Sequence, residues 1–405
     1  MIKLFFGLGI FGLFTSTIFT AMAATGLWRF VSMRKRRLRT AVSSYLPPVT
    51  LLKPLHGSEP NLEEHLTTFF EQDYPTFEIL FCARQSEDEG LKTAARVAAR
   101  FPGIPVRFLT TGEPKYINAK VASLERMESA ASHSLLVISD SDVRVQFDYL
   151  RRILAPFADP QVGLLTCLYR GVAADNGIWS RLEAAGMSIE MTCGVLVANL
   201  TEGMHFALGP TMVVRRECVQ EIGGFGVLGD YCADDFVLGK LVSENGHKVV
   251  LSDHIIDHIV INERFVSSVK HQVRWMKSTR FSRPLGHLGT LLTFSVPFGL
   301  LSGGAALALR MPWLGLGLLG WSVLGRAALA VVVGSAVVGE KHLMRLGLIY
   351  PLRDFLGFCY WSASYLSDKI VWRGEIYRLI AGGRMRSTSG QSPKKSEPAL
   401  TAQGN

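Results

Sequence analysis

The sequence predicts an α/β protein: a doubly wound, mostly parallel sheet domain carried between hydrophobic segments at both ends of the chain. Three observations predict it. Between residues 49 and 260, short apolar runs alternate with helical stretches, as parallel strands joined by crossover helices require. Uncharged apolar stretches lie near the amino terminus and again after His287. With 405 residues, 48% of them hydrophobic, and a mean hydropathy of +0.23, the chain is too long for one average domain and too apolar for an ordinary soluble enzyme.

The first element is a membrane anchor, residues 1–28. Residues 4–24 are uncharged over a length that matches the roughly 20 residues a bilayer crossing needs, and Trp28 follows at interface depth. The apolar run exceeds the h-region of a cleaved signal, and the basic cluster follows it instead of preceding it. Arg29, Arg34, Lys35, Arg36, Arg37 and Arg39 make residues 29–48 a basic linker, which places the next domain in the cytoplasm, at a bacterial inner membrane. The same residues supply much of the +9 net charge, so the basic balance reads as topology and attraction to anionic lipid. No nucleic-acid motif appears. Six scattered cysteines lack zinc spacing and are expected as core thiols.

Residues 49–262 form the α/β domain. Strands are expected at 49–52, 77–83, 106–109, 135–139 and 162–168, and a helix over 61–71 with Asn61 as N-cap and Glu64 completing a capping box. The strand 135–139 matters most, because it ends in Asp140-Ser141-Asp142. A buried strand delivers carboxylates to its own tip, where open α/β sheets bind ligands, and paired hard oxygens suit Mg²⁺ or Mn²⁺ carrying a diphosphate. Such pairs are also common in turns, so the neighbouring motifs decide.

Beyond this domain, residues 263–287 read as an interfacial amphipathic segment and 288–380 as a second membrane region. Runs at 288–309 and 313–338 are two spans, the second interrupted only by Arg326. Residues 343–372 carry Arg345, Arg353, Asp354, Asp368 and Lys369, which leaves a third span, a re-entrant pair and an interfacial helix all open. Residues 381–405 have the composition of a disordered basic tail.

Four further sites could join Asp140 and Asp142. Asp234-Asp235 precedes a helical stretch; it could cap that helix, or Asp235 could act as a general base for an acceptor hydroxyl. Arg274-Trp275 lies in the basic segment before the membrane, where it could meet lipid headgroups; alternatively Arg274 could hold a leaving diphosphate and Trp275 wall an acceptor pocket. Asp88 follows the second strand, within reach of a nucleoside. Lys120, with Asn118, opens a helix and could meet a phosphate.

The ordered motifs Leu52-Lys53-Pro54-Leu55-His56-Gly57, Phe69-Phe70-Glu71-Gln72-Asp73-Tyr74-Pro75, Asn118-x-Lys120, Asp140-Ser-Asp142, Asp234-Asp235 and Arg274-Trp275 resemble the ceramide glucosyltransferase family, glycosyltransferase family 21. The resemblance spans about residues 49 to 285 and implies a GT-A type domain, a UDP-sugar donor, a divalent metal, inversion at the anomeric carbon and a membrane-lipid acceptor. It also implies that Asp88 lies near the uridine, Asp140 on the metal-diphosphate, and Asp235 is the base, with Arg274 and Trp275 ending the Gln/Arg-x-x-Arg-Trp motif. His271 stands where Gln or Arg is usual, and residues 85–89 lack the family's proline-containing setting. His271, Thr166-Cys167-Leu168-Tyr169-Arg170-Gly171 and Trp179-Ser180-Arg181-Leu182 look more like bacterial hopanoid-biosynthesis relatives, so ceramide and a hopanoid polyol both stand as acceptors, with UDP-glucose or UDP-N-acetylglucosamine as donor. Trp372-Arg373 and Tyr377-Arg378 resemble the family's carboxyl-terminal pattern. A processive polysaccharide synthase and a non-enzymatic lipid-binding scaffold are the rival readings.

Overall fold

The computed structural model describes residues 1–39, 45–175, 177–261, 264–372 and 375–388. One long helix, α1 (Ile2–Arg39), precedes the sheet domain. The domain then runs β1 (Val49–Pro54), α2 (Leu62–Phe70), β2 (Phe77–Ala83), α3 (Glu89–Ala98), β3 (Val106–Thr110), α4 (Ala119–Ala130), β4 (Leu135–Ser139), β5 (Val143–Arg144), α5 (Tyr149–Leu154) and β6 (Val162–Ala173). After it come α6 (Ile178–Ala185), a π-turn (Gly186–Met191), α7 (Thr192–Thr201), β7 (Thr211–Arg215), α8 (Arg216–Glu221), α9 (Asp234–Glu244) and β8 (Lys248–Val260). The remainder comprises α10 (Phe265–Ser282), α11 (Pro284–Thr290), α12 (Val296–Ala308), α13 (Pro312–Val333), a π-turn (Gly334–Val338), α14 (Leu343–Ala363), β9 (Lys369–Trp372), β10 (Glu375–Ile380) and β11 (Arg384–Ser387).

The strands form one eight-stranded sheet, β3-β2-β1-β4-β7-β6-β8-β5. In its parallel half, Leu52 pairs with Leu80 on one side and Ile138 on the other, so β1, β2 and β4 end at one edge. All five β4 residues are buried, as a central strand covered on both faces demands. The other half is more antiparallel than the crossover pattern predicts: β7 runs against both β4 and β6, and β5 against β8. The short β7, directly after Pro210, carries too little pattern to be read from sequence.

Two local expectations change. Asn61 adopts left-handed backbone angles, φ 57°, and makes no side-chain cap bond. An N-cap needs an extended backbone to aim its oxygen at the first turn, so the expected capping box does not form. The basic segment 29–39 is not a loose linker but continues α1 as helix.

Among the described residues, three helical stretches are long and apolar enough to cross a membrane: Ile2–Arg37, Ile178–Thr201 and Pro312–Val338. The second was not expected as a span and is 61% buried within the protein. The expected span at 288–309 is instead a bent pair, Pro284–Thr293 and Val296–Ala308, meeting at 48°, with Pro297 in the first turn of α12. α1 packs closely on α12; a Cβ on Gly9 would stand 2.6 Å from the Ser302 nitrogen.

Residues 343–372, left open by the sequence, divide into α14 and the first strand of a three-stranded antiparallel sheet, β11-β10-β9. Two charges of α14, Arg353 and Asp354, turn inward, while Arg345 stays exposed. Asp354 Oδ1 lies 2.9 Å from Arg326 Nε, and its Oδ2 accepts from the Ser295 and Val296 nitrogens that open α12. β11 falls inside the expected disordered tail, because Tyr377 to Ile380 of β10 give residues 384–387 a partner. Arg373 and residues 389–405 lie outside the described residues. Replacing Asp354 with Ala leaves Arg326 buried without its carboxylate and should cost about 3–5 kcal/mol, read as a lowered unfolding temperature in detergent.

Candidate active site

The β4 tip places its acids among buried cations. Lys53, fully buried on β1, donates to the Asp140 carbonyl at 2.6 Å and stands 3.7 Å from the Phe69 ring centroid. Lys120 Nζ lies 2.5 Å from Asp140 Oδ1, and His258 Nε2 lies 3.0 Å from Asp142 Oδ2. Ser141 donates to Glu59 Oε1 at 2.8 Å. Asp142 Oδ1 and Glu59 Oε2 are buried and find no hydrogen-bond partner among the described residues.

These neighbours set the protonation states. Burial lowers the Lys53 ammonium to about 7, although Asp140 and Asp142 oppose the shift. Burial raises the Asp140 carboxyl; Lys120 opposes this and Asp142 adds to it. For Asp142 burial acts upward too, yet His258 and the two lysines overcome it and hold the group below the usual carboxylate range. His258 in turn is raised, since Asp142 outweighs burial.

The carboxyl edge opens into a cleft of about 260 Å³ whose walls include Glu59, Asn118, Lys120, Asp140, Asp142 and Trp372. Asn118 caps α4, its Oδ1 accepting from the Lys120 nitrogen, while its Nδ2 donates to Asp234 Oδ1 at 3.1 Å. That bond ties the start of α4 to the start of α9. Ala233 is the N-cap of α9, so neither Asp234 nor Asp235 is the capping residue; both stand in the first turn. Burial and the adjacent Asp234 push the Asp235 carboxyl up to about 6 against the pull of Lys120. Lys120 thus sits in the field of both acidic sites.

Arg274 and Trp275 point to different surroundings. The Arg274 guanidinium stacks over Trp372, 4.9 Å from its ring centroid, and burial lowers its pKa. Trp275 packs against the main core, 5.0 Å from the His271 ring. Behind them the buried Glu183 of α6 accepts from Ser268 at 2.7 Å and lies 2.6 Å from His271 Nδ1, which fixes α10. Asp88 caps α3 through Gly90 and accepts from the Gly57 nitrogen with both oxygens, at 2.9 and 3.0 Å. It ties two loops together beside the cleft.

The structure therefore brings Asp140, Asp142 and Lys120 into one cleft, links Asp235 to it electrostatically, and reaches Arg274 through Trp372. Asp88, Arg274, Trp275 and Asp235 do not line that cleft. Residue patterns gave no role to Lys53, which stands in the first of the ordered motifs, and did not reveal Glu59, Glu183 or His258. A lysine inside the apolar run 49–55 was the available signal for the first.

The sequence model described as glycosyl transferase family 21 matches residues 10–385. The chain belongs to glycosyltransferase family 21. This glycosyltransferase is 24% identical over 384 residues to ceramide glucosyltransferase 1 of Caenorhabditis elegans, covering 93% of the chain and 80% of the relative. Ceramide glucosyltransferase 3 of the same organism is 24% identical over 375 residues, covering 88% and 78%. Among solved structures, it is similar to the mannosyltransferase PcManGT from Pyrobaculum calidifontis in complex with GDP-Man and Mn²⁺, with 19% identity, a TM-score of 0.49, and coverage of 89% of this chain and 98% of that one. The family resemblance read from the motifs is borne out.

A carboxyl held up at about 6 in the fold of this glycosyltransferase costs stability progressively from its ordinary value of 3.8 upward and in full above about 6, where folding must bury the charge. Asp235→Asn should raise the unfolding temperature at pH 7.5. The gain should shrink as the pH falls from 6 to below the ordinary aspartate value of 3.8, where the wild-type group is neutral in both states; melting curves across that range check it.

Proposed function

We propose that this family 21 glycosyltransferase moves a hexose from a UDP-sugar, UDP-glucose or UDP-N-acetylglucosamine, onto a hydroxyl of a membrane lipid, with inversion. The convergence of Asp140, Asp142, Lys120 and Asp235 at the carboxyl edge of a sheet packed on apolar helices carries this reading. The names of the curated relatives favour ceramide as acceptor, and a hopanoid polyol is the alternative. The basic run at 29–39 favours a catalytic domain on the cytoplasmic face of a bacterial inner membrane.

The acids fit a divalent metal: Asp142 Oδ1 and Glu59 Oε2 are buried hard oxygens without partners beside Asp140. Asp140 and Asp142 would hold Mg²⁺ or Mn²⁺, which when bound would neutralise charge on the diphosphate. Lys53 fixes the Asp140 backbone from below, and His258 orients Asp142. Lys120 supplies a positive charge at the same wall. Asp235 takes the proton from the attacking hydroxyl; a pKa near 6 leaves it ionised at neutral pH and more basic than an ordinary aspartate. Arg274, held over the Trp372 ring, stabilises the departing UDP, with Trp275 beside the acceptor and Asp88 beside the uridine. This single displacement makes one glycosidic bond, whereas a polysaccharide synthase would give a ladder of products.

The decisive assay incubates the purified protein with each UDP-sugar, offers ceramide and a hopanoid polyol in turn, and identifies the labelled lipid. One monoglycosylated lipid is expected; a polymer, or no product with any pairing, would overturn the proposal. Asp235→Asn should lower the transfer rate about 10²–10⁴-fold while metal-dependent UDP binding persists. The wild-type rate should fall as the pH drops below about 6, where Asp235 holds its proton.

A further inference from the structure

A second cleft, of about 410 Å³, shares no lining residue with the first. Its walls include Arg34 of α1, Arg152 of α5, Arg170 of β6 and His254 of β8, closed by Val337 and Val338 where the apolar stretch Pro312–Val338 ends. Consecutive strand residues face opposite sides of a sheet. His258 turns to the β4 tip, while its neighbour Asp257 turns to this cleft.

The charge here is arranged for an anion. Arg152 pairs with Asp148 at 2.5 Å, and Arg170 pairs with Asp257, which also accepts from Arg144 at 3.0 Å. These carboxylates orient the guanidiniums without matching them, and Arg34 pairs with no carboxylate among the described residues. Arg170 also donates to the Gly339 carbonyl at 3.0 Å, joining the sheet to the end of the membrane helix. His254 is 4% exposed, and its Nε2 is buried without a partner. Burial lowers it to about 4, so it offers a neutral ring nitrogen.

Position selects the source of the anion. Arg34 follows the apolar part of α1, and Val337 and Val338 end the apolar stretch Pro312–Val338, so the cleft lies where both apolar stretches end. Guanidinium forks match phosphate oxygens, and lipid phosphates lie at this depth. We propose that this cleft binds the phosphate of an anionic phospholipid from the leaflet facing the catalytic domain. Arg170, part of the Thr166 to Gly171 motif that the reaction does not use, has its role here.

The test uses the full-length protein in neutral detergent, with phosphatidylglycerol, phosphatidylcholine or inorganic phosphate added, and reads the unfolding temperature and the lipid retained by native mass spectrometry. Phosphatidylglycerol should stabilise the protein and remain bound, and the other two should do neither. Arg34→Gln should weaken phosphatidylglycerol binding about tenfold. Lys35→Gln, the same charge change on the exposed neighbour, should leave it within about twofold. Equal losses in the two variants would mean diffuse attraction to the helix end and overturn the proposal. So would an equal response to phosphatidylcholine, and a response to inorganic phosphate alone would make this a soluble-anion site.

Discussion

Everything at the candidate site depends on holding acids at the end of a strand that water does not reach. β4 is buried along its whole length, so Asp140 and Asp142 emerge from a low-dielectric core where unpaired carboxylates are costly. Lys53 lies beneath them, Lys120 beside Asp140 and His258 beside Asp142. The remaining oxygens, Asp142 Oδ1 and Glu59 Oε2, stay unsatisfied. A site built this way is preorganised for a cationic guest and an anionic substrate, and it is stabilised by the same cations that compete for its acids.

Lys120 extends this arrangement across the cleft. Its ammonium is held well above its usual pKa, against burial, by Asp140 and by Asp234. Asn118, two residues earlier, bonds to Asp234 itself. The Asn118-x-Lys120 motif thus measures the distance between a strand tip and a helix start that are far apart in sequence. Asp235 inherits its position from that spacing.

Much of this was legible in the residues, and the reasons differ by element. The strands Phe77–Ala83 and Leu135–Ser139 read correctly because continuous apolar runs bounded by polar residues leave few alternatives. β7 escaped notice, since its antiparallel insertion between β4 and β6 depends on tertiary pairing; β8, which runs parallel to β6, was missed as well. Asn61 misled because its residue type suits a cap while its backbone does not. Asp140, Asp142 and Lys120 could be placed together from motif order, but His258 and Glu183 could not. Each reaches its partner from a different element, and only the folded chain reveals the pairing.

Asp354 has a consequence for how the chain enters the bilayer. An arginine at the centre of an inserting helix costs about 2.5–3.5 kcal/mol, and Arg326 is such a residue in α13. Its carboxylate partner arrives only with α14, which is synthesised later, and that same carboxylate completes the start of α12. One carboxylate therefore couples the last three helices: Asp354 of α14 neutralises Arg326 of α13 and closes the first turn of α12, so none of the three is fully satisfied without the others.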